Sequence, residues 1–88
     1  MQRRYVIHGW VQGVFFRDST RRKAKEFGIH GWVRNRSDGA VEVMAQGEEA
    51  TLVALEKWLR EGGPPAARVD RVEVNEVSEE RFFGFWVL

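Results

Sequence analysis

Gly9-Trp10-Val11-Gln12-Gly13-Val14-Phe15-Phe16-Arg17 joins an apolar, strand-like run that begins at Tyr5 to a helical pattern that opens near Phe16. The turn falls at Gln12-Gly13. A strand that leads through a Gly turn into a helix start gathers backbone N–H groups with no partner inside the helix, and the helix dipole adds partial positive charge there. Consecutive N–H groups in such a turn can form an anion-binding concavity. Arg17 follows in the first helical turn, and its planar fork of donors suits a phosphate or a carboxylate. One reading is an oxyanion cradle, for phosphate; the other is a tight strand-to-helix turn followed by a solvated arginine. Two other phosphate loops are excluded. No Gly-Lys-Ser/Thr follows, and the Gly9–Gly13 spacing does not match a dinucleotide fingerprint.

On either side of this turn the chain alternates between strand and helix patterns. Tyr5–Val11 reads as a first strand; Val6, Ile7, Trp10 and Val11 spread over both faces, which predicts a central strand buried on both sides. Asp18–Phe27 reads as a helix with Phe16, Thr20, Ala24 and Phe27 on one face and the Arg and Lys residues on the other. Gly28 suits its C-terminal stop. His30–Asn35 and Ala40–Gln46 read as a hairpin around the turn Arg36-Ser37-Asp38-Gly39. Glu48-Glu49 suits a helix N-terminus, Leu52, Leu55 and Leu59 supply an apolar stripe, and Gly62-Gly63-Pro64-Pro65 stops the helix. Arg68–Val77 reads as a fourth strand and Phe82–Leu88 as a short packed terminal strand. The order β-α-β-β-α-β plus a terminal strand predicts an α+β, ferredoxin-like βαββαβ sandwich, an antiparallel sheet with two helices on one face.

Composition narrows the function. The 88 residues, 1–88, read as one small domain, and a hydrophobic fraction of 43% with four Trp and six Phe is enough for a core. There is no cysteine, so thiolate metal sites and Cys catalysis are excluded. The net charge of +1 gives no bulk basic field for nucleic acid, although Arg17, Arg21, Arg22, Lys23 and Lys25 are clustered. No apolar run approaches a membrane span, and Met1-Gln2-Arg3-Arg4 leads into a strand pattern without a signal-peptide apolar region. Asn35-Arg36-Ser37 matches a glycosylation sequon, discounted without a secretory signal.

The topology brings the turn after the first strand towards the end of the second, which predicts Gln12–Arg17 near Asn35. Asn35 offers a carbonyl acceptor and an amide donor, so it can hold a water against a bound anion; alternatively it is a polar residue leading into the Asp-Gly turn. His8 and His30 have no patterned carboxylate partner and read as structural. Ser19 and Thr20 have no patterned base and read as first-turn helix residues.

Two motifs carry a resemblance. Val11-Gln12-Gly13-Val14-Phe15-Phe16-Arg17 resembles the V-Q-G-V-x-F-R signature of the acylphosphatase family. Gly31-Trp32-Val33-Arg34-Asn35, followed by Asp38-Gly39-Ala40-Val41-Glu42, resembles that family's second signature, G-W-V-x-N-x-x-D-G-x-V-E. The match runs from about residue 5 to 77, in order and with family-like spacing; the apolar Phe82–Leu88 stretch departs from the charged ending expected of the family. The resemblance implies hydrolysis of the carboxyl-phosphate bond of acyl phosphates, to a carboxylate and inorganic phosphate. It implies Arg17 and Asn35 as catalytic residues, with Gln12, Gly13, Val14, Phe15, Phe16 and Arg17 as the phosphate-binding loop. It implies no metal, no cofactor and no covalent nucleophile. The expected partners are a small-molecule acyl phosphate and inorganic phosphate, the latter as product and competitive ligand, with no nucleic acid and no membrane. A cytoplasmic monomer is expected. Trp10, Phe15, Trp32 and Arg36 are candidates for the rim that selects the substrate. Two rivals stand beside this reading. RNA-recognition motifs share the topology, but here the third strand, Ala40–Gln46, has no aromatics. An anion-binding regulatory or maturation module is the other.

Overall fold

The structure, a computed structural model, describes residues 1–78 and 80–88. The elements are β1 (Gln2–Trp10), α1 (Phe16–Glu26), β2 (His30–Asn35), β3 (Val41–Gln46), α2 (Glu49–Arg60), β4 (Arg68–Glu76) and β5 (Phe85–Val87). They form one sheet in the order β4-β1-β3-β2-β5. Each β-α-β crossover skips a strand: β1 to β2 passes over β3, and β3 to β4 passes over β1. This is the expected ferredoxin-like α+β fold. The pairs β1–β3, β1–β4 and β2–β3 are antiparallel, while β5 adds to β2 in parallel. The sheet is therefore mixed at the edge that the terminal strand occupies.

Register assigns the two faces. Tyr5 and Ile7 lie opposite Val43 and Val41 on one side and Val74 and Val72 on the other. Val33 pairs with Val43 and with Val87, and Gly31 with Ala45 and Phe85. Together with Phe16 and Ala24 of α1 and Leu52, Leu55 and Leu59 of α2, the buried members of these pairs (Tyr5, Ile7, Val33, Val41, Val43, Ala45, Val72 and Phe85) build one core. Burying each such Leu or Val contributes about 1.5–3 kcal/mol. The other face carries Arg4, His8, Arg34, Glu42 and Glu73, tied by an ion pair and a hydrogen bond: Arg34 Nη2 lies 2.7 Å from Glu42 Oε1 and His8 Nε2 2.6 Å from Glu73 Oε2. No helix among the described residues is long and apolar enough to cross a membrane.

Local readings change at Trp10 and at the terminal strand. Trp10, expected in a doubly buried strand, is 68% exposed, because β1 reaches its last residue there and the sheet's far face is uncovered. Trp32 also faces away from the helices, with the Arg34 guanidinium 5.2 Å over its ring. The terminal strand shortens to Phe85–Val87; before it, backbone N–H groups donate to side chains, while Gly84 O accepts from Gly31 N of β2 at 2.9 Å. Glu80 N donates to Gln2 Oε1, Phe82 N to Gln46 Oε1 and Gly84 N to His30 Nδ1, at 2.8, 3.3 and 3.0 Å. Gly31 shows how tightly the ladder is built: its φ is +143°, and a Cβ there would overlap the Met44 carbonyl oxygen.

Candidate active site

The end of the sheet where β1 and β2 finish and α1 begins holds a cleft of about 310 Å³, lined by Val11, Gly13, Phe15, Phe16, Arg17, Asp18, Asn35 and Val87. Its floor is apolar and sealed: Val11 and Phe16 are 1% and 2% exposed and belong to the core. Gly13 (φ +75°) and Phe15 (φ +62°) are both left-handed, with Val14 between them. Gly takes that conformation freely, whereas a bulky aromatic there is strained by roughly 1 kcal/mol or more. The consequence is a sharp turn that delivers the chain into α1 with Phe15 as N-cap and no side-chain cap on the helix. Ser19 N is bonded to Phe15 O at 3.0 Å, so the amides of Phe16, Arg17 and Asp18 are the donors that a helix leaves unpaired at its start. They sit at the positive end of the helix dipole.

Gln12 shapes the loop from behind. Its Nε2 donates to Arg36 O at 2.8 Å and to Ala40 O at 2.9 Å, pinning the loop to the β2–β3 turn. That turn is itself closed by Arg36 N donating to Ala40 O and Ala40 N donating to Asp38 Oδ1. The bond from Ala40 N, reinforced by the Arg36 guanidinium, holds the Asp38 carboxyl below its ordinary value of 3.8. The Gln12 side chain is thus committed to the scaffold, and its neighbours Gly13, Phe15 and Arg17 line the cleft. Val14 is buried at 8% and packs into the core.

Arg17 stands half-buried at the cleft. Its Nη1 donates to the Leu88 main-chain oxygen at 2.9 Å. Among the described residues this is its one hydrogen bond, and it joins no ion pair, whereas Arg4, Arg22, Arg34, Arg36 and Arg60 each face a carboxylate. A guanidinium offers five N–H donors, so the remaining donors and the full charge are available to an anion. Asn35, the last residue of β2, lies on the helix-facing side of the sheet opposite Val41. The fold therefore brings the Gly13–Arg17 loop and Asn35 to one cleft, as the sequence predicts. Asp18 and Val87 also line it, which sequence reasoning missed. Asp18 is paired to Arg22 one turn on, at 3.2 Å. Val87 arrives through the parallel β2–β5 pairing, for which no local signal exists. Of the proposed rim residues, Phe15 lines the cleft, while Arg36 is paired to Asp38 at 3.0 Å. His8 and His30 are engaged away from the cleft, by Glu73 and by the Phe82–Gly84 backbone.

Fold and cleft together define a ferredoxin-like α+β domain with a cleft at the start of its first helix, where unpaired helix amides and Arg17 meet. The acylphosphatase family profile matches residues 3–86. The chain belongs to the acylphosphatase family, and it is a hydrolase of acyl phosphates. It is 51% identical over 86 residues to an acylphosphatase of Alkalilimnicola ehrlichii, covering 98% of this chain and 96% of that one. Among solved structures it resembles an acylphosphatase from Coxiella burnetii (TM-score 0.94, 44% identity, 99% of this chain and 90% of that one). An acylphosphatase from Bacillus subtilis is also similar (TM-score 0.93, 34% identity, 99% and 97% covered).

Proposed function

We propose that residues 1–88 act as one monomeric domain in which Arg17 and the Gly13–Arg17 loop amides hold the phosphoryl group while Asn35 orients the attacking water. The water oxygen bonds to phosphorus as the phosphorus–oxygen bond to the acyl group breaks. The carboxylate leaves with that electron pair, and the water's proton passes to a phosphoryl oxygen. The observation that carries this reading is the meeting, at one small cleft, of a guanidinium in no ion pair among the described residues, a helix N-terminus and the side-chain amide of Asn35. An acyl phosphate is a mixed anhydride with a good leaving group, so positioning and charge stabilisation supply most of what catalysis requires. The Gln12 side chain serves by holding the loop, and Val14 and Phe16 by anchoring it in the core.

A nucleic-acid platform fits less well. On the open face the middle of β1 and β3 carries Arg4, paired with Glu42, and His8, bonded to Glu73, with the exposed Trp10 ring only at the end of β1. A purely anion-binding module is separated from an enzyme by Asn35, because binding alone does not need a water-orienting amide.

The test is steady-state hydrolysis of benzoyl phosphate in EDTA by wild type and Asn35→Ala. Turnover that persists in the chelator and falls by about 10²–10³ in the variant is expected, by analogy with loss of one preorganised hydrogen-bonding group. Near-wild-type turnover in folded Asn35→Ala would remove the water-orienting role.

A further inference from the structure

Phe15 is a costly residue where it stands. It is the one non-glycine residue with positive φ among the described residues, and its ring is 80% exposed. An aromatic side chain in the left-handed region gains no packing there to offset the strain. Glycine or asparagine would make the same turn more easily. Its ring instead forms one wall of the cleft. Val87, 42% exposed, is the other apolar lining residue that reaches solvent, since Val11 and Phe16 are sealed beneath and Val14 faces the core. The cleft thus has a polar part (Gly13 amide, Arg17, Asn35) and an apolar mouth of Phe15 and Val87.

We propose that Phe15, with Val87, is the acyl-recognition wall of this enzyme, selecting acyl phosphates whose acyl group is small, apolar and uncharged, aromatic rings included. The inference rests on the phosphoryl group occupying the Arg17 end of the cleft. Its acyl group must then leave by the mouth, because the floor is core. A volume of about 310 Å³ lies at the small end of ligand pockets, which leaves room for a compact acyl group beside the phosphoryl group. Charge at the mouth argues against an anionic acyl group. The charged lining residues are Arg17, which the phosphoryl group occupies, and Asp18, which is paired to Arg22 at 3.2 Å, so the lining offers no free cation to a second negative charge. The nearby arginines are already neutralised: Arg36 by Asp38 at 3.0 Å, Arg34 by Glu42 at 2.7 Å. Arg34 also lies on the opposite face of the sheet.

The acyl contact persists from bound substrate to transition state, so it acts mainly through KM rather than kcat. The experiment compares benzoyl phosphate with acetyl phosphate and reads the ratio of their kcat/KM values. Loop changes that affect both substrates alike divide out of that ratio. Wild type is expected to favour benzoyl phosphate, and Phe15→Gly to lower the ratio by about 2- to 10-fold, the value of one aromatic contact. Phe15→Tyr is expected to keep it, and Val87→Ser to lower it less. Succinyl phosphate is expected to be poorer than acetyl phosphate in wild type. Where Phe15→Gly turns over neither substrate, calorimetric binding of phenylphosphonate against methylphosphonate reads the same preference, with Phe15→Asn as a second variant that tolerates the turn. A ratio unmoved in Phe15→Gly, or an unmoved phosphonate preference in the binding arm, overturns the acyl wall. Failure of wild type to hydrolyse any of the three substrates overturns the hydrolytic reading beneath it.

Discussion

Replacing Gln12 by alanine should loosen the active-site loop without touching any group that meets the substrate. The amide donates two hydrogen bonds, to Arg36 O at 2.8 Å and Ala40 O at 2.9 Å. Both carbonyls keep a second donor: Arg36 O accepts from Gly39 N at 3.2 Å and Ala40 O from Arg36 N at 2.8 Å. Neither acceptor is left orphaned, so the cost is two net hydrogen bonds rather than two desolvation penalties. At about 0.5–1.5 kcal/mol each, Gln12→Ala should destabilise the fold by roughly 1–3 kcal/mol. In urea that lowers the unfolding midpoint by on the order of 1 M, with the slope unchanged. Gln12→Glu should be worse than Gln12→Ala, because it places a carboxylate against two carbonyl oxygens. Urea unfolding followed by tryptophan fluorescence measures stability, and benzoyl phosphate hydrolysis measures the loop. Activity should fall in both variants under conditions where they are folded. If Gln12→Glu were as stable and active as wild type, the donor role assigned to this side chain would be wrong, and with it the account of how the loop is held.

Three further outcomes are expected. Arg17→Ala should lower benzoyl phosphate turnover by at least ~10²–10³, and Arg17→Lys should not rescue it, since an ammonium cannot reproduce the planar fork; steady-state rates of the purified variants decide. Gly31→Ala should cost more than about 2 kcal/mol, because a Cβ would overlap the Met44 carbonyl and the residue needs positive φ; a thermal midpoint within a degree of wild type would contradict the tight β2–β3 register. Asp38 and Glu73 are both held below their ordinary values of 3.8 and 4.5, by the Ala40 amide and by the His8 hydrogen bond respectively. Their stabilising effect is present above the unfolded-state values and is lost as pH falls through the folded ones. Urea midpoints should therefore fall as pH drops below about 4.5, and Asp38→Asn should flatten part of that fall; a midpoint that rises on acidification would show the carboxylates to be unpaired.

Much of this molecule is written in local pattern. The alternation of Val41, Val43 and Ala45, the Leu52–Leu55–Leu59 stripe and the Asp-Gly turn each specify an element through the spacing of apolar residues and the dihedral demands of one turn. Such signals act over a few residues, so they are complete in the chain itself. Helix α1 begins two residues earlier than the polar run beginning at Asp18 suggests, because Phe16 is both its first residue and part of the core. The two signatures that place Arg17 and Asn35 in a family are likewise local strings.

The partners that the ends of the strands acquire were not local. Trp10 reads as part of a doubly buried strand, yet the sheet has helices on one face only, so the burial of an apolar side chain depends on which face the register gives it. β5 joins β2 in parallel after a crossover of some fifty residues, and only that pairing brings Val87 to the cleft and the Leu88 oxygen to Arg17. Phe15 shows the same limit at a single residue. Its letter in the chain made it only one of four rim candidates. The left-handed turn demanded by the loop, together with a floor already filled by Val11 and Phe16, leaves its ring in solvent at the mouth of the site. Chain chemistry determined which groups are available for phosphoryl transfer. Tertiary packing decided which of them face one another, because contacts between distant segments depend on register, layer and filled volume, none of which a short stretch of sequence contains.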